Sequence, residues 1–333
     1  MSSKQQVLVV GEIIWAKEEM AEKVGSLADV IYVESKTRDE FKQDLESKFT
    51  NVIGIFRSNQ SLSTVGPFDK EFIELLPSSV KWIAHNGAGY DPVDVHAALA
   101  KGIQVSHTPG SVDNATATTA CYLILSALRQ YWKAEVNVRA GKFKQGLAPA
   151  FDPENKTLGI VGMGGIGSVV AKRMALGWGM KILYHNRNQI KDGQPGSEYE
   201  YCSSLEEMLG KADVVSLNLP LNANTAKSFG EKQFAWMKDG SVLVNTARGG
   251  VVDEPALLAA LKSGKLYSAG LDVFPDEPNV NPEFFSMENV ILLPHMGTET
   301  RDTQKIMEIQ VIDNVKSALE TGKVINLVAE HKK

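Results

Sequence analysis

The chain has 333 residues, 43% hydrophobic and 23% charged, with 35 Lys and Arg against 40 Asp and Glu and a formal net charge of −5. That length suffices for two domains that each bury a core, and mild acidity with scattered basic residues gives no electrostatic reason to expect nucleic acid or an anionic membrane as partner. Cys121 and Cys202 stand in unrelated contexts, so neither a disulfide framework nor a metal site is expected, and the opening "MSSKQQVLVVGEII" makes a poor signal peptide, which points to the cytoplasm.

Strands alternate with helices almost throughout, the pattern of parallel sheets covered on both faces. The first third reads as strands "QQVLVV", "DVIYV", "NVIGIF", "VKWIAH" and "IQVSH", with "RDEFKQDLESKF" and "PVDVHAALAKG" as helices. After "HTPGS" one long helix is expected over about residues 114–140, closed by Gly141 as a C-cap. The polar segment "KQGLAPAFDPENK" leads into a second series of strands, "TLGIVGM", "KILYHN", "DVVSLNL", "SVLVNTA", "YSAGLDV" and "NVILLPH". The last helix, "TQKIMEIQVIDNVKSALETG", has no following strand to cover there and is assigned back to the first domain. The expected fold is α/β, with two doubly wound parallel-sheet domains and a cleft between them. A flavodoxin-like substrate domain takes residues 1–112 plus 299–333, and a Rossmann dinucleotide-binding domain takes 113–298, with crossings near Ser111 and Thr298.

The turn Gly162-Met163-Gly164-Gly165-Ile166-Gly167 follows the first strand of the second series and opens a helix. Gly162 permits a tight turn, Gly164 lets the backbone approach a pyrophosphate, and Gly167 lets the helix pack on the sheet, while the helix N-terminus offers N–H groups to the anion. Alone the motif is weak, and a turn that binds nothing is its bland alternative; its strand-to-helix position is what favours a dinucleotide. At the end of the next strand, "KILYHNRN", a carboxylate would hold the ribose 2′-OH of NAD. Here stand Asn186 and Arg187. Asn removes the repulsion of a 2′-phosphate and Arg supplies a permanently charged fork, so NADPH is expected over NADH, unless Arg187 merely faces solvent. His185 reads as a neutral neighbour and no catalyst.

Ligands of open α/β sheets bind at the carboxyl ends of the strands. Three of those ends carry ionisable groups: "SVLVNTARGG" delivers Arg248, "YSAGLDVFPDEP" delivers Asp272 and Glu277, and "NVILLPHMGT" delivers His295. An Arg to hold a carboxylate and polarise a carbonyl, a His to transfer the proton and a carboxylate to orient it would together reduce a 2-keto acid. Each alone reads as a surface cation, a loop acid or a strand end.

"GMGGIG", "NTARGGVVDE", "SAGLDVFPDEP" and "LLPHMGTET" resemble the successive motifs of the D-2-hydroxyacid dehydrogenases over nearly the whole chain, nearest to fungal glyoxylate/hydroxypyruvate reductase-type members, with which "YHNR" and "PHMGT" are shared. The resemblance implies that Arg248 binds substrate, His295 is the general acid/base and Glu277 its partner. It also implies that Asp272 lies near the nicotinamide, Thr246 and Ala247 line its ring, and Pro220 and Thr225 border the adenosine. "HNGAGYDPVDV" resembles the family's substrate loop, whose amides at Ala88 and Gly89 would grip the substrate carboxylate, and Arg57 in "FRSN" is a further substrate candidate. Thr118 stands where many members carry an acid. The resemblance further implies a homodimer, for which the long helix from Asn114 is a candidate. Glu277 rather than Gln speaks against formate oxidation, and no long carboxyl extension suggests a regulated phosphoglycerate dehydrogenase.

The resulting expectation is an NADPH-preferring reductase of a small-molecule 2-keto acid, glyoxylate or hydroxypyruvate foremost, giving the D-hydroxy acid. The alternatives are a reductase of aromatic or branched keto acids and a dinucleotide-sensing, corepressor-like binding protein.

Overall fold

The computed structural model describes residues 4–49 and 51–332. The chain divides into two compact units, residues 1–112 with 300–333 and residues 113–299.

The first unit is built on five parallel strands, β1 (Gln6–Val10), β2 (Asp29–Tyr32), β3 (Val52–Arg57), β4 (Trp82–His85) and β5 (Gln104–Ser106), in the order β2-β1-β3-β4-β5. This is the flavodoxin-like order, in which the winding reverses between β1 and β3. Buried on both faces, the central strands are almost wholly apolar. Helices α1 (Lys17–Val24) and the closing helix Arg301–Thr321 cover one face, where Met20, Trp82, Val311, Ile312 and Val315 form a core. Helices α2 (Arg38–Ser47), α3 (Lys70–Leu75) and α4 (Val95–Ala100) contribute to the other face, centred on Phe68 stacked on Phe72 with ring centres 3.9 Å apart. Glu308 of the closing helix is buried, and its carboxylate accepts the amides of Ile14, Trp15 and Ala16, each at 2.8 Å. Three donors just ahead of α1 satisfy a charge that burial alone would penalise.

The second unit carries seven parallel strands, β6 (Thr157–Val161), β7 (Lys181–His185), β8 (Glu200–Tyr201), β9 (Val214–Leu217), β10 (Ser241–Asn245), β11 (Leu266–Leu271) and β12 (Val290–Leu292). Their order, β12-β11-β10-β9-β6-β7-β8, is that of a Rossmann sheet extended by one strand, with its switch point between β6 and β9. Helices α5 (Asp113–Arg129) and α7 (Gly165–Trp178) cover one face through Ala117, Leu123, Ile124, Val170 and Met174. Helices α8 (Leu205–Lys211), α9 (Glu231–Trp236) and α10 (Glu254–Lys262) cover the other through Met208, Phe234, Leu257 and Leu261. The single helix expected over 114–140 is two. Gln130, in the left-handed region at φ 53, ends α5, and α6 (Tyr131–Arg139) starts anew; the Gln130 amide donates to the Tyr267 hydroxyl, which holds the break in place. Thr118, on α5, bonds Arg173 of α7 at 2.8 Å. No helix among the described residues is long and apolar enough to cross a membrane, and no three His, Cys, Asp or Glu among them are grouped to hold a metal ion.

Candidate active site

The Gly-rich turn joins β6 to α7 beside the switch point. Gly162 has φ +95, and a Cβ there would lie 2.6 Å from the Asn218 carbonyl oxygen; one on Gly167 would lie 2.4 Å from that of Gly162. The turn can close this tightly only with hydrogen at both positions. A Cβ on Gly164, the N-cap, would by contrast meet nothing within 4 Å. Open space at the N-cap of a 14-residue helix is what a pyrophosphate needs, and α7 presents Gly165, Ile166 and Gly167 in its first turn, with the Asp113 carboxylate beside Gly165. The residues present therefore fit a dinucleotide.

At the end of β7 the half-buried Asn186 reaches back to this turn, its Oδ1 accepting the Met163 amide at 2.7 Å. Since only the oxygen can accept from an N–H, Nδ2 is left as a donor, and among the described residues it makes no hydrogen bond. Arg187 is exposed and unpaired among the described residues. His185 is occupied, its Nδ1 donating to the Cys202 carbonyl at 2.9 Å. After β9, the Thr225 hydroxyl donates to the Pro220 carbonyl at 2.5 Å and accepts the Asn222 amide at 2.9 Å, which ties this loop into one piece.

Strand β10 ends at Asn245, whose side chain shapes the turn beyond it: Oδ1 accepts the Ala247 amide and Nδ2 donates to the Arg248 carbonyl, both at 3.0 Å. This turn buries Thr246 and Ala247 and presents Arg248, half-buried, with Nη1 on the Ala247 carbonyl at 2.8 Å. The Thr246 hydroxyl is buried and has no hydrogen-bond partner among the described residues.

Strand β11 runs into Asp272, which is fully buried. Its two carboxylate oxygens accept the amides of Met296 at 2.6 Å and Gly297 at 2.9 Å, and its own carbonyl accepts the His295 amide at 2.8 Å. Burial pushes the Asp272 carboxyl above its ordinary value despite these donors. The arrangement holds His295, just beyond β12, in the left-handed region at φ 57, a conformation uncommon for a residue other than glycine. The ring then meets Glu277, with Nδ1 2.7 Å from Oε2, while Oε1 of Glu277 accepts the Phe274 amide at 2.8 Å.

The bond to Glu277 raises the His295 pKa above the ordinary histidine value, against burial, with the charge of Glu277 adding to it. Burial works to raise the Glu277 carboxyl, but the bonds from His295 and the Phe274 amide outweigh it and hold the group low. The charge of Arg248 is felt by both groups and favours the carboxylate over the imidazolium. Arg248, Glu277 and His295 thus act on one another, with Asp272 beneath as the anchor of the His295 turn. That anchoring is not legible in the sequence, from which Asp272 is expected only near the nicotinamide.

In the first unit, Arg57 ends β3, and Ala88 and Gly89 follow β4. Arg57 is fully buried over the Phe68 ring, and burial lowers its pKa to about 10.

A Rossmann sheet with a Gly-rich turn at its switch point and an Arg, a Glu–His pair and a buried Asp at its strand ends defines a nicotinamide-dependent dehydrogenase. The profile of the D-isomer specific 2-hydroxyacid dehydrogenases, NAD binding domain, matches residues 121–297. The chain is 47% identical to 4-methyl-2-oxopentanoate reductase A of Aspergillus oryzae, over 98% of both chains. It is 46% identical, with a TM-score of 0.95 and complete coverage of both chains, to the crystal structure of a glyoxylate reductase from Paecilomyes thermophila. The NADPH-dependent glyoxylate/hydroxypyruvate reductase of Sinorhizobium meliloti, solved with NADP and malonate, is 32% identical with a TM-score of 0.85 over 98% of both chains. The chain belongs to the D-isomer specific 2-hydroxyacid dehydrogenase family and is an NAD(P)-dependent enzyme of that class.

Proposed function

We propose that this enzyme reduces a small 2-keto acid, glyoxylate or hydroxypyruvate foremost, to the D-2-hydroxy acid, with NADPH preferred over NADH. The observation that carries the chemistry is the His295–Glu277 pair at 2.7 Å, with Arg248 close enough to bias both. A reduced nicotinamide bound along the second unit supplies a hydride to the carbonyl carbon. Arg248 holds the substrate carboxylate and polarises the carbonyl. His295 donates a proton to the carbonyl oxygen as the alkoxide develops, and Glu277 keeps the imidazolium populated and its ring oriented through Nδ1, leaving Nε2 to face the substrate. Thr246, Ala247 and Asp272 bound the ring side of the site, Pro220 and Thr225 the adenosine side. Residues 113–298 serve as the dinucleotide-binding domain and residues 1–112 plus 299–333 as the substrate domain, where Ala88, Gly89 and Arg57 are the candidates for the carboxylate.

The NADPH preference is supported by two donors without a hydrogen-bond partner among the described residues at the end of β7, Asn186 Nδ2 and the Arg187 guanidinium, which stand where a carboxylate would repel a 2′-phosphate. A homodimer in the cytoplasm completes the reading; in it the exposed Tyr131, Val136, Val138 and Phe143 of the α6 region are the natural surface to cover.

A second reading, reduction of branched keto acids, is favoured by the name of the Aspergillus relative at 47% identity. The deciding experiment follows reduced-nicotinamide absorbance with glyoxylate, hydroxypyruvate, 4-methyl-2-oxopentanoate and phenylpyruvate, each with NADPH and NADH. The highest kcat/KM is expected for glyoxylate or hydroxypyruvate with NADPH. A branched or aromatic acid leading by an order of magnitude would transfer the assignment, and coenzyme binding without turnover on any of the four would leave a sensor.

A further inference from the structure

Three adjacent strands of the five-stranded sheet, β3, β4 and β5, end on or run into Arg57, His85 and His107, with Arg57 and His85 in register. The chain leaves β4 through residues 86–89, and three successive carbonyls of that loop are each held. Gly87 accepts the Thr108 amide at 3.0 Å, Ala88 accepts His107 Nδ1 at 2.8 Å, and Gly89 accepts His85 Nε2 at 2.9 Å. A carbonyl can only accept, so both ring nitrogens carry hydrogens. The other nitrogen of His85, Nδ1, lies 2.9 Å from Nη1 of Arg57, and a guanidinium can only donate. Arg57 thereby fixes His85 as the neutral tautomer with its proton on Nε2. Burial likewise keeps His107 below the ordinary histidine value, so its ring stays a neutral donor near pH 7. There is no slack in the loop, since a Cβ on Gly87 would lie 2.5 Å from His85 Nε2.

In a trans peptide the carbonyl and the following N–H point in opposite directions. Pinning the carbonyls of Gly87 and Ala88 therefore turns the amides of Ala88 and Gly89 to the other side, and among the described residues neither amide donates a hydrogen bond. A pair of fixed, neighbouring, unspent amide donors at the carboxyl edge of a parallel sheet matches a carboxylate.

We infer that His85 and His107 are positioning residues for the substrate, setting the peptide planes of residues 87–89 so that the Ala88 and Gly89 amides meet the carboxylate of a 2-keto acid. The inference rests on the keto-acid reductase reading and adds to it what orients the loop; Arg57 then acts through His85. The carboxylate is held in ground and transition states alike, so loss of the loop geometry raises KM and spares kcat.

The test is steady-state kinetics with glyoxylate and NADPH on His85→Leu, His85→Gln, His107→Leu and His107→Asn. Gln places an amide nitrogen near the Nε2 position of histidine, and Asn places one near Nδ1. The Leu variants should raise KM for glyoxylate roughly 10-fold, with kcat within about twofold and KM for NADPH unchanged, and the Gln and Asn variants should recover most of the loss. A KM within about twofold of wild type in the Leu variants, a fall in kcat at constant KM, or Gln and Asn variants no better than Leu would overturn the inference. Should a Leu variant fail to fold, His107→Gln, which stays polar but moves the donor by one methylene, must raise KM in its place, and an unaltered value there overturns the inference equally. A wild type inactive on every 2-keto acid would instead sink the reductase reading on which it rests.

Discussion

His295 Nδ1 lies 2.7 Å from Glu277 Oε2, and the bond raises the imidazole pKa while the carboxyl is held low. On the proposed mechanism reduction needs the imidazolium, so activity in that direction should persist below the raised pKa and fall as pH rises through it. Glu277→Gln removes the charge that stabilises the imidazolium. The falling limb of kcat/KM for reduction should move to lower pH, while oxidation of the hydroxy acid, which needs the neutral ring, should gain ground there. A pH–rate series in both directions checks this; an unmoved profile would mean that the bond does not tune the proton donor.

His295→Ala should lower kcat for reduction by roughly 10²–10⁴-fold, the usual worth of a positioned acid. Coenzyme affinity, measured by fluorescence titration, should hardly change. Near-normal turnover would remove His295 from the proton step.

Arg248→Lys keeps the charge and loses the planar fork, so two-point binding of a carboxylate fails while the local field is nearly kept. A large loss of kcat/KM with glyoxylate is expected, and equal activity of variant and wild type would refute a bidentate role.

The anchoring of His295 gives a prediction with a structural readout. Each oxygen of Asp272 serves a different amide, Met296 or Gly297. Asp272→Asn can accept only one of them and turns an NH₂ toward the other, at a cost of about 1–3 kcal/mol for the unsatisfied buried group. Both the Tm and kcat should fall, because the turn that holds His295 at φ 57 is no longer pinned. A variant with both values unchanged would show that the β12 turn keeps its shape without the carboxylate.

Legibility in the sequence divides by range. The Gly-rich turn and the groups after β10, β11 and β12 are legible because each depends on an apolar run and the few residues just beyond it. The break at Gln130 is not, since no Gly or Pro marks it and its support comes from Tyr267, on a strand far along the chain. Nor is β8, two residues of polar and aromatic character that pair with β7 at the edge of the sheet. The work of Asp272 and His107 is hidden for the same reason: each acts on a backbone group brought beside it by the order of strands in a sheet, and His85, although it bonds a carbonyl only four residues on, has its tautomer set by Arg57 from the neighbouring strand. Asn186 is a mixed case, legible as a missing carboxylate but not as the acceptor of the Met163 amide.

That last contact sharpens the coenzyme prediction. With Oδ1 spent on the turn, Asn186 has only its NH₂ left to offer a ligand, and the exposed Arg187 adds a charge. One charge-assisted contact is worth about 1.5–3 kcal/mol, roughly a 10–100-fold ratio between NADPH and NADH. Arg187→Ala should lose part of that ratio. Adding Asn186→Asp keeps an acceptor for the Met163 amide, so the turn should survive, while its second oxygen accepts from a 2′-OH and repels a 2′-phosphate; the double variant should therefore turn toward NADH. Because Arg187 is open to solvent, the wild-type preference should also shrink as ionic strength rises. The measurement is kcat/KM for both coenzymes with glyoxylate, at low and high salt, in wild type and both variants. A wild type that favours NADH, or an Arg187→Ala ratio equal to that of wild type, would reduce Arg187 to a solvated surface residue.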